Sequence, residues 1–371
     1  MRLVSAPTIQ SRIGSLMFLE KFWQRNGFIQ TYGDFLLSEI DPLLSPRRLQ
    51  ARVVAIRQET ADAKTYVFKP SRRWKGFQAG MHLQVGVEAQ GVALSRYYSV
   101  SSSVQQFVRE GTFSITVKRI PQGRMSNWLF DNLQPEDIVR IGQADGEFTL
   151  EQTPAQKVLF LAAGSGITPM MSMLTTHLPQ APERDFQLLY YCCNPDEVIF
   201  AQALQSLADQ YPNFKLEVVH TDTEGLINAE QLASRCADAA EREVFLCGPG
   251  GFMQVARELL EAQGVTADHI RQESFGVRLD VNALEQTGGE VFFSKAGVEA
   301  EADGSQTILM LAESAGLKPK YGCRTGICHE CKCVKKSGAV RNLLTGQVSL
   351  AENEAIQTCI SIPQGKVEVA L

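Results

Sequence analysis

The chain has 371 residues, which exceeds the size of a single compact core and suggests about two or three domains. Hydrophobic residues make up 44% of the sequence and charged residues 21%, as is usual for globular proteins. The formal net charge of -5 argues against nucleic-acid binding and favours small-molecule or protein partners.

The cysteines are too few and too unevenly spread for a disulfide scaffold. The chain has nine, and most of them follow residue 320, which favours metal or redox chemistry. The N-terminus lacks an apolar core followed by a cleavage site, and no stretch reaches the roughly 18 apolar residues of a membrane span. We therefore expect a cytoplasmic protein.

Residues 1–48 are predicted to form a partly helical N-terminal extension. Apolar residues recur at helical spacing from Ile13 to Trp23. The simplest interpretation is packing against the next domain. A peripheral contact with a membrane or partner is the alternative, because Arg12, Lys21 and Arg25 flank the apolar stripe.

The pattern of apolar and polar residues changes twice after residue 48 and divides the remainder of the chain. Residues 49–152 contain short alternating runs separated by turn residues, which predict an antiparallel barrel or sandwich. Residues 153–276 alternate apolar strands with helical patterns, which predicts a parallel, doubly wound α/β domain. A linker over 277–289 then leads to a third unit, residues 290–371.

A glycine turn follows the first apolar strand of the α/β domain. In "LAAGSGITPMM", Gly164 and Gly166 allow the backbone to approach a pyrophosphate, and the next helix offers free N–H groups. We expect Thr168 to be the N-cap of this helix and Pro169 its first residue. Because tight turns need glycine anyway, this motif alone is weak.

A second turn, "VFLCGPGGFM", ends another apolar strand with Cys247, Gly248 and Pro249. In a parallel sheet both turns emerge at the carboxyl edge, where ligands bind. The pair resembles the ferredoxin-NADP reductase superfamily, whose nicotinamide domain carries G-x-G-x-[TS]-P and C-G-P turns in this order. The resemblance implies that Cys247 lies beside the nicotinamide ring and Thr168 between flavin and nicotinamide. A buried small hydrophobe is the alternative for Cys247.

The same superfamily implies an upstream flavin barrel with an R-x-Y-S strand, and this chain reads "RYYS". Arg96 suits a diphosphate, Tyr98 can cover the isoalloxazine ring, and the Ser99 hydroxyl can hydrogen-bond near its N5. "GRMS" matches the glycine turn and helix start at the flavin diphosphate. The further cofactor-binding residues implied by the resemblance are Lys118, Gly123, Met125, Ser126 and Phe275. For Phe275 the role is shielding the flavin, with core packing as the equal alternative.

The choice of nicotinamide donor stays open. Many relatives place an arginine or a hydroxyl cluster after the strand "LLYY", where it meets the 2'-phosphate of NADPH. This chain instead has Cys192, Cys193 and Asn194, which favours NADH slightly. Arg184 or Lys215 remain alternative phosphate ligands.

The C-terminal cysteines follow the pattern C-x4-C-x2-C with a distant fourth member, which resembles plant-type [2Fe-2S] ferredoxins. The implied iron ligands are Cys323, Cys328, Cys331 and Cys359, in a small β-grasp unit. The alternatives are a zinc site, Cys333 as the fourth ligand, and a Rieske centre involving His329. Only one C-x2-C pair and one Cys-His pair occur, which disfavours zinc and Rieske centres.

Together these features predict an antiparallel β-barrel flavin domain, a doubly wound α/β nicotinamide domain and a C-terminal β-grasp ferredoxin domain. The implied activity is NAD(P)H oxidation, with Ser99, Thr168 and Cys247 as catalytic residues and with electrons passing through FAD to the [2Fe-2S] cluster.

The resemblance also implies an acceptor protein, for which we expect a membrane fatty-acid desaturase at the inner face of the membrane, or else an oxygenase. The alternatives are a stand-alone flavin diaphorase and a non-enzymatic metal-binding protein. We expect a monomer.

Overall fold

The structure is a computed structural model, and it describes residues 39–45, 47–89, 92–121, 123–275, 289–304, 306–322, 326, 330–343 and 347–371. The predicted N-terminal helix, most of the predicted linker, Cys323, Cys328 and His329 lie outside the described residues. None of the described helices is long and apolar enough to span a membrane.

The first unit is an antiparallel sheet in the strand order β4-β3-β6-β1-β2-β5. A bridge between Val100 and Ile115 brings the two edge strands together. Alternate strand residues such as Phe113 point inward. Trp74, from the segment between β2 and β3, stacks on Phe113 with 4.5 Å between ring centroids. Its strands and helices are β1 Gln50–Thr60, β2 Ala63–Pro70, β3 His82–Ala89, β4 Val92–Ser99, α1 Val104–Glu110, β5 Phe113–Lys118, α2 Arg124–Asn132 and β6 Ile138–Ile141.

The second unit is a parallel five-stranded sheet in the order β11-β10-β7-β8-β9. Its elements are β7 Lys157–Ala163, α3 Ile167–His177, β8 Asp185–Cys192, α4 Ala201–Gln210, β9 Phe214–His220, α5 Thr221–Glu224, α6 Ala229–Arg235, β10 Glu243–Cys247, α7 Gly250–Ala262 and β11 Ile270–Glu273. Both faces are covered, because Phe160 belongs to one apolar cluster and its neighbour Leu161 to another. The strand order reverses between β7 and β10, which is where doubly wound sheets bind ligands.

The start of α3 corrects one prediction. Thr168 is not the N-cap. The helix begins at Ile167 with Gly166 at the cap, and Thr168 is its second residue. A residue that caps a helix with its side chain usually has an extended backbone and precedes the helix. Here a 3-10 turn over Gly164–Gly166 runs directly into α3, and the cap residue Gly166 has φ -61° and ψ -11°. The Thr168 hydroxyl therefore donates to the Ser165 carbonyl oxygen, at 3.0 Å.

The third unit is a mixed sheet packed against a short helix. Its elements are β12 Gly289–Phe293, β13 Val298–Ala302, α8 Ile308–Ser314, β14 Lys332–Asn342, β15 Val348–Ser349, β16 Glu354–Gln357 and β17 Ser361–Val369. Strands β12 and β17 pair in parallel, while β14 pairs antiparallel to β17. Gly289, predicted as the last linker residue, is the first residue of β12. The three-part fold predicted from the sequence is confirmed.

Gly166 of the first glycine turn lies directly against the backbone of Cys247 and Gly248 in the second turn. A Cβ atom on Gly166 would lie 2.2 Å from the Cys247 carbonyl oxygen, whereas a Cβ on Gly250 would meet nothing within 4 Å. We expect Gly166→Ala to lower the free energy of unfolding by about 1–3 kcal/mol, because the two turns must separate. Gly250→Ala is the matched control and should unfold like the wild type in urea. Equal stability of the two variants would contradict this packing.

Candidate flavin, nicotinamide and cluster site

A cavity of about 650 Å³ lies where the three units meet. The barrel, the α/β domain and the ferredoxin unit each contribute lining residues. Nine predicted site residues other than the cysteines line it: Arg96, Tyr98, Ser99, Lys118, Gly123, Met125, Ser126, Thr168 and Phe275. Cys359, one of the predicted iron ligands, lines the same cavity. The structure thus brings together the residues predicted for the flavin and one residue predicted for the cluster.

The barrel side of the cavity consists of strand β4 and the start of α2. Gly123 caps α2 without a side-chain hydrogen bond, so the first turn of the helix suits an anionic phosphate. A Cβ on Gly123 would lie 2.6 Å from Ser126 Oγ, which explains the glycine. Burial raises the pKa of the Tyr98 phenol well above its ordinary value and keeps it neutral.

Lys118 is engaged across the domain boundary. Its Nζ lies 2.7 Å from Glu197 and 3.3 Å from Asp62. Burial would lower the pKa of Lys118, but the two carboxylates outweigh it and raise the pKa. Lys118 therefore links the barrel to the α/β domain in addition to lining the cavity.

The nicotinamide side consists of the two turns at the carboxyl edge of the parallel sheet. Thr168 reaches the cavity, but Gly164, Gly166, Cys247, Gly248 and Pro249 are not among its lining residues. Cys247 is completely buried, and burial, reinforced by the charge of Glu273, raises the pKa of its thiol well above the ordinary value. The thiol is therefore protonated at neutral pH. Its predicted place beside a nicotinamide ring stays a prediction.

Glu273 is the residue that sequence reasoning missed on this side. One carboxylate oxygen accepts a hydrogen bond from Ser99 Oγ at 3.0 Å, and the other lies 2.8 Å from His82 Nδ1. Glu273 ends β11 beside Cys247 on β10, while His82 and Ser99 are paired residues on β3 and β4. One acidic side chain thus joins the α/β domain to the barrel.

Phe275 follows two residues after Glu273. Its exposed fraction is 41%, so it does not belong to an apolar core. It lines both the main cavity and a neighbouring one of about 430 Å³ beside Ser99. This position favours the predicted cover over the flavin.

The two cations suggested for a 2'-phosphate are engaged elsewhere. Arg184 donates to the carbonyl oxygens of Thr153 at 2.7 Å and Ala155 at 2.9 Å. Lys215 forms an ion pair with Glu217 at 2.6 Å. Arg184 precedes β8 and Lys215 is the second residue of β9, so both lie at the amino edge of the parallel sheet, opposite the edge where ligands bind.

The cluster site is described in part. The sulfur atoms of Cys331 and Cys359 lie 3.2 Å apart, and both residues are buried. Thr358 fixes this pair, because its backbone N–H and its hydroxyl both donate to the Cys331 carbonyl oxygen. Two thiolates this close suit neighbouring ligands of one iron ion.

Cys333 lies on β14 in a different apolar cluster, with its sulfur 3.7 Å from the Val334 carbonyl oxygen. Burial raises the pKa of its thiol. Within the described part of the chain, no group of three or more His, Cys, Asp or Glu side chains is placed to hold a metal ion. The described pair nevertheless fits the predicted ligand set with Cys359 rather than Cys333.

Comparison with known proteins gives three domain matches. An oxidoreductase FAD-binding domain matches residues 50–150, an oxidoreductase NAD-binding domain residues 160–258, and a 2Fe-2S iron-sulfur cluster binding domain residues 291–364. An "NADPH oxidoreductase" from Mycobacterium tuberculosis is 32% identical over 333 residues, covering 90% of this chain and 87% of the relative. The chain belongs to the ferredoxin-NADP reductase family. The reductase carries a C-terminal [2Fe-2S] ferredoxin domain.

Other known proteins are similar to the reductase over most of its length. A "Glycine betaine monooxygenase reductase subunit" from Chromohalobacter salexigens is 32% identical over 353 residues, covering 87% of this chain and 95% of the relative. The solved structure of phthalate dioxygenase reductase shares the fold, with a TM-score of 0.60 and 24% identity over 89% of this chain and 99% of that one.

These findings confirm the predicted family and cofactors. The reductase is an NAD(P)H oxidoreductase with FAD-binding, NAD-binding and [2Fe-2S] domains, and it acts as an electron-transfer component. The 2Fe-2S match decides against a zinc site, and the FAD and NAD matches decide against a non-enzymatic metal-binding protein.

The position of Cys359 gives a direct test of the fourth ligand. We expect Cys359→Ser to abolish the visible absorbance of the cluster and its iron content of about two atoms per chain, since the Cys331 thiolate loses its neighbour. Cys333→Ser is the matched control and should keep both. Retained FAD absorbance would show that each variant folds. Loss of iron from Cys333→Ser with retention in Cys359→Ser would reverse the ligand assignment.

Proposed function

We propose that the reductase takes electrons from a reduced nicotinamide, with NADH preferred, and delivers them to a separate oxygen-activating enzyme, an oxygenase component. One observation carries this proposal: strand β4, the start of α3 and Cys359 line a single cavity. A flavin bound there would lie between the nicotinamide turns and a cluster ligand. When bound, the FAD accepts a hydride, and the [2Fe-2S] cluster takes the electrons singly.

The chain's own residues have distinct tasks in this proposal. Arg96 and the first turn of α2 hold the flavin phosphates, and Tyr98 covers one face of the ring. Phe275 shields the other side until nicotinamide arrives. Thr168 then contacts both rings from the start of α3.

The hydrogen bond between Ser99 and Glu273 orients the hydroxyl. Because Ser99 Oγ donates to Glu273, its hydrogen points toward the carboxylate and a lone pair is left to face the cavity. Glu273 is held in turn by His82 and is only 11% exposed. In the proposed function the Ser99 oxygen would accept a hydrogen bond from the N5–H that the flavin carries once it is reduced, and Glu273 and His82 are positioning residues.

The acceptor is inferred from the relatives. Those at about one-third identity include reductase components named for glycine betaine monooxygenase and 3-ketosteroid-9-alpha-monooxygenase. This supports an oxygenase as the acceptor class. The fatty-acid desaturase expected from the sequence, with its contact at the membrane, stays a prediction. The positions of Arg184 and Lys215 at the amino edge of the parallel sheet support NADH as donor, because these two candidate ligands of a 2'-phosphate lie away from the carboxyl edge.

The role of Glu273 can be measured in the first half-reaction. We expect Glu273→Ala to slow anaerobic flavin reduction by NADH about 10- to 100-fold, because the Ser99 hydroxyl loses its acceptor and with it its fixed orientation. His82→Gln leaves the Ser99 bond in place and should have a smaller effect. Stopped-flow absorbance of the flavin band measures both rates. Wild-type rates in Glu273→Ala would contradict the proposed role.

The acceptor can be tested with purified components. The holoenzyme and NADH are combined with an oxygenase component encoded near the reductase gene, with a desaturase in vesicles, or with a dye alone. We expect product formation by the oxygenase and a higher kcat/KM for NADH than for NADPH. If only the desaturase formed product, a desaturase would replace the oxygenase as the acceptor class. If the protein reduced dyes but stimulated neither enzyme, it would be a stand-alone diaphorase and the proposal would be wrong.

A further inference from the structure

The ferredoxin unit contacts the flavin barrel through the two residues that precede the first predicted iron ligand. Tyr321 and Gly322 lie immediately before Cys323 in the sequence. The guanidinium of Arg96 lies over the Tyr321 ring, 4.7 Å from its centroid, and Arg96 Nη1 donates to the Gly322 carbonyl oxygen. The start of the cluster-binding segment is therefore attached to the strand that carries the flavin motif.

A second arginine contacts the same tyrosine. Arg124 Nη1 lies 3.4 Å from the Tyr321 hydroxyl, at the exposed rim of the cavity. Arg124 is the first residue of α2, and Arg96 is paired with Val85 inside the barrel sheet. Both arginines therefore project from rigid elements and meet one aromatic side chain of the ferredoxin unit.

The contact with Arg96 is the stronger of the two. A guanidinium over an aromatic ring stabilises an arrangement by electrostatic attraction to the ring face, more so when both groups are partly desolvated. Arg96 is also fixed by its own hydrogen bond to the Ser95 carbonyl oxygen at 2.7 Å. A long, exposed contact of 3.4 Å to a hydroxyl contributes little by comparison.

We propose that Tyr321 is a positioning residue that holds the ferredoxin unit against the flavin barrel through Arg96, so that electron transfer from flavin to cluster depends on it more strongly than flavin reduction does. This inference rests on the proposed function. The step concerned moves one electron, which oxidises the reduced flavin and reduces the oxidised cluster by one electron each. The second electron follows after the acceptor enzyme has reoxidised the cluster, and the flavin proton leaves to solvent.

The experiment separates the two steps within one rapid-mixing trace. The holoenzyme is mixed with NADH without oxygen, and the flavin and cluster bands are followed separately. We expect Tyr321→Leu to slow cluster reduction about 2- to 5-fold more than flavin reduction, because loss of the cation–π contact lowers the fraction of molecules in which the ferredoxin unit contacts the barrel. Tyr321→Phe keeps the ring over Arg96 and should behave nearly as the wild type.

Phe292→Leu is the matched control, because it makes the same kind of change at a side chain of the ferredoxin unit that is 36% exposed and does not line the cavity. A second readout is independent of turnover. Hydrogen–deuterium exchange over residues 306–322 should be faster in Tyr321→Leu than in Phe292→Leu, in protein stripped of both cofactors as well as in the holoenzyme.

Three outcomes would overturn the inference. They are an unchanged rate of cluster reduction in Tyr321→Leu, an equal slowing of flavin and cluster reduction, and an equal loss in Phe292→Leu. Failure of the proposed function would look different, since the wild-type protein itself would then show no cluster reduction by NADH.

Discussion

The hydrogen bond from Ser99 to Glu273 is the interaction on which the geometry of the site depends. It joins the end of a barrel strand to the end of the last strand of the parallel sheet, over a distance of 3.0 Å. Hydride transfer needs donor and acceptor rings in contact, so the two domains must face each other in one fixed arrangement. The bond contributes to this arrangement, and His82 supports it. Further links between the domains are the ion pair of Lys118 with Glu197 and the hydrogen bonds that Thr176 and Ser172 of α3 make to the barrel.

The ferredoxin unit completes the cavity on the remaining side. Cys359 contributes to the wall and lies beside Cys331, so a predicted ligand of the one-electron acceptor lines the cavity that would hold the flavin. The contacts of Arg96 with Tyr321 and Gly322 make the same arginine serve both partners of the transfer. A flavin in this cavity would therefore lie between the nicotinamide, which donates two electrons, and the cluster, which accepts one.

Much of this arrangement is readable from the sequence, because motifs such as "RYYS" and "CGPGG" are local and each residue type has a chemical reason. The fold class followed from strand spacing and from the alternation of strands with helices. Thr168 was misplaced as an N-cap because the sequence does not reveal that a 3-10 turn runs directly into the helix. Glu273 and Tyr321 were missed because their partners lie 174 and more residues away, and only the packing of separate domains brings them together.

An anaerobic reductive titration with NADH tests the central claim most directly. If the hydride acceptor and the one-electron acceptor are connected inside one chain, the flavin and cluster bands should both bleach. The end point should be about 1.5 equivalents of NADH per chain, since FAD takes two electrons and the cluster one. Bleaching of the flavin alone at about one equivalent, with the cluster left oxidised, would contradict the account.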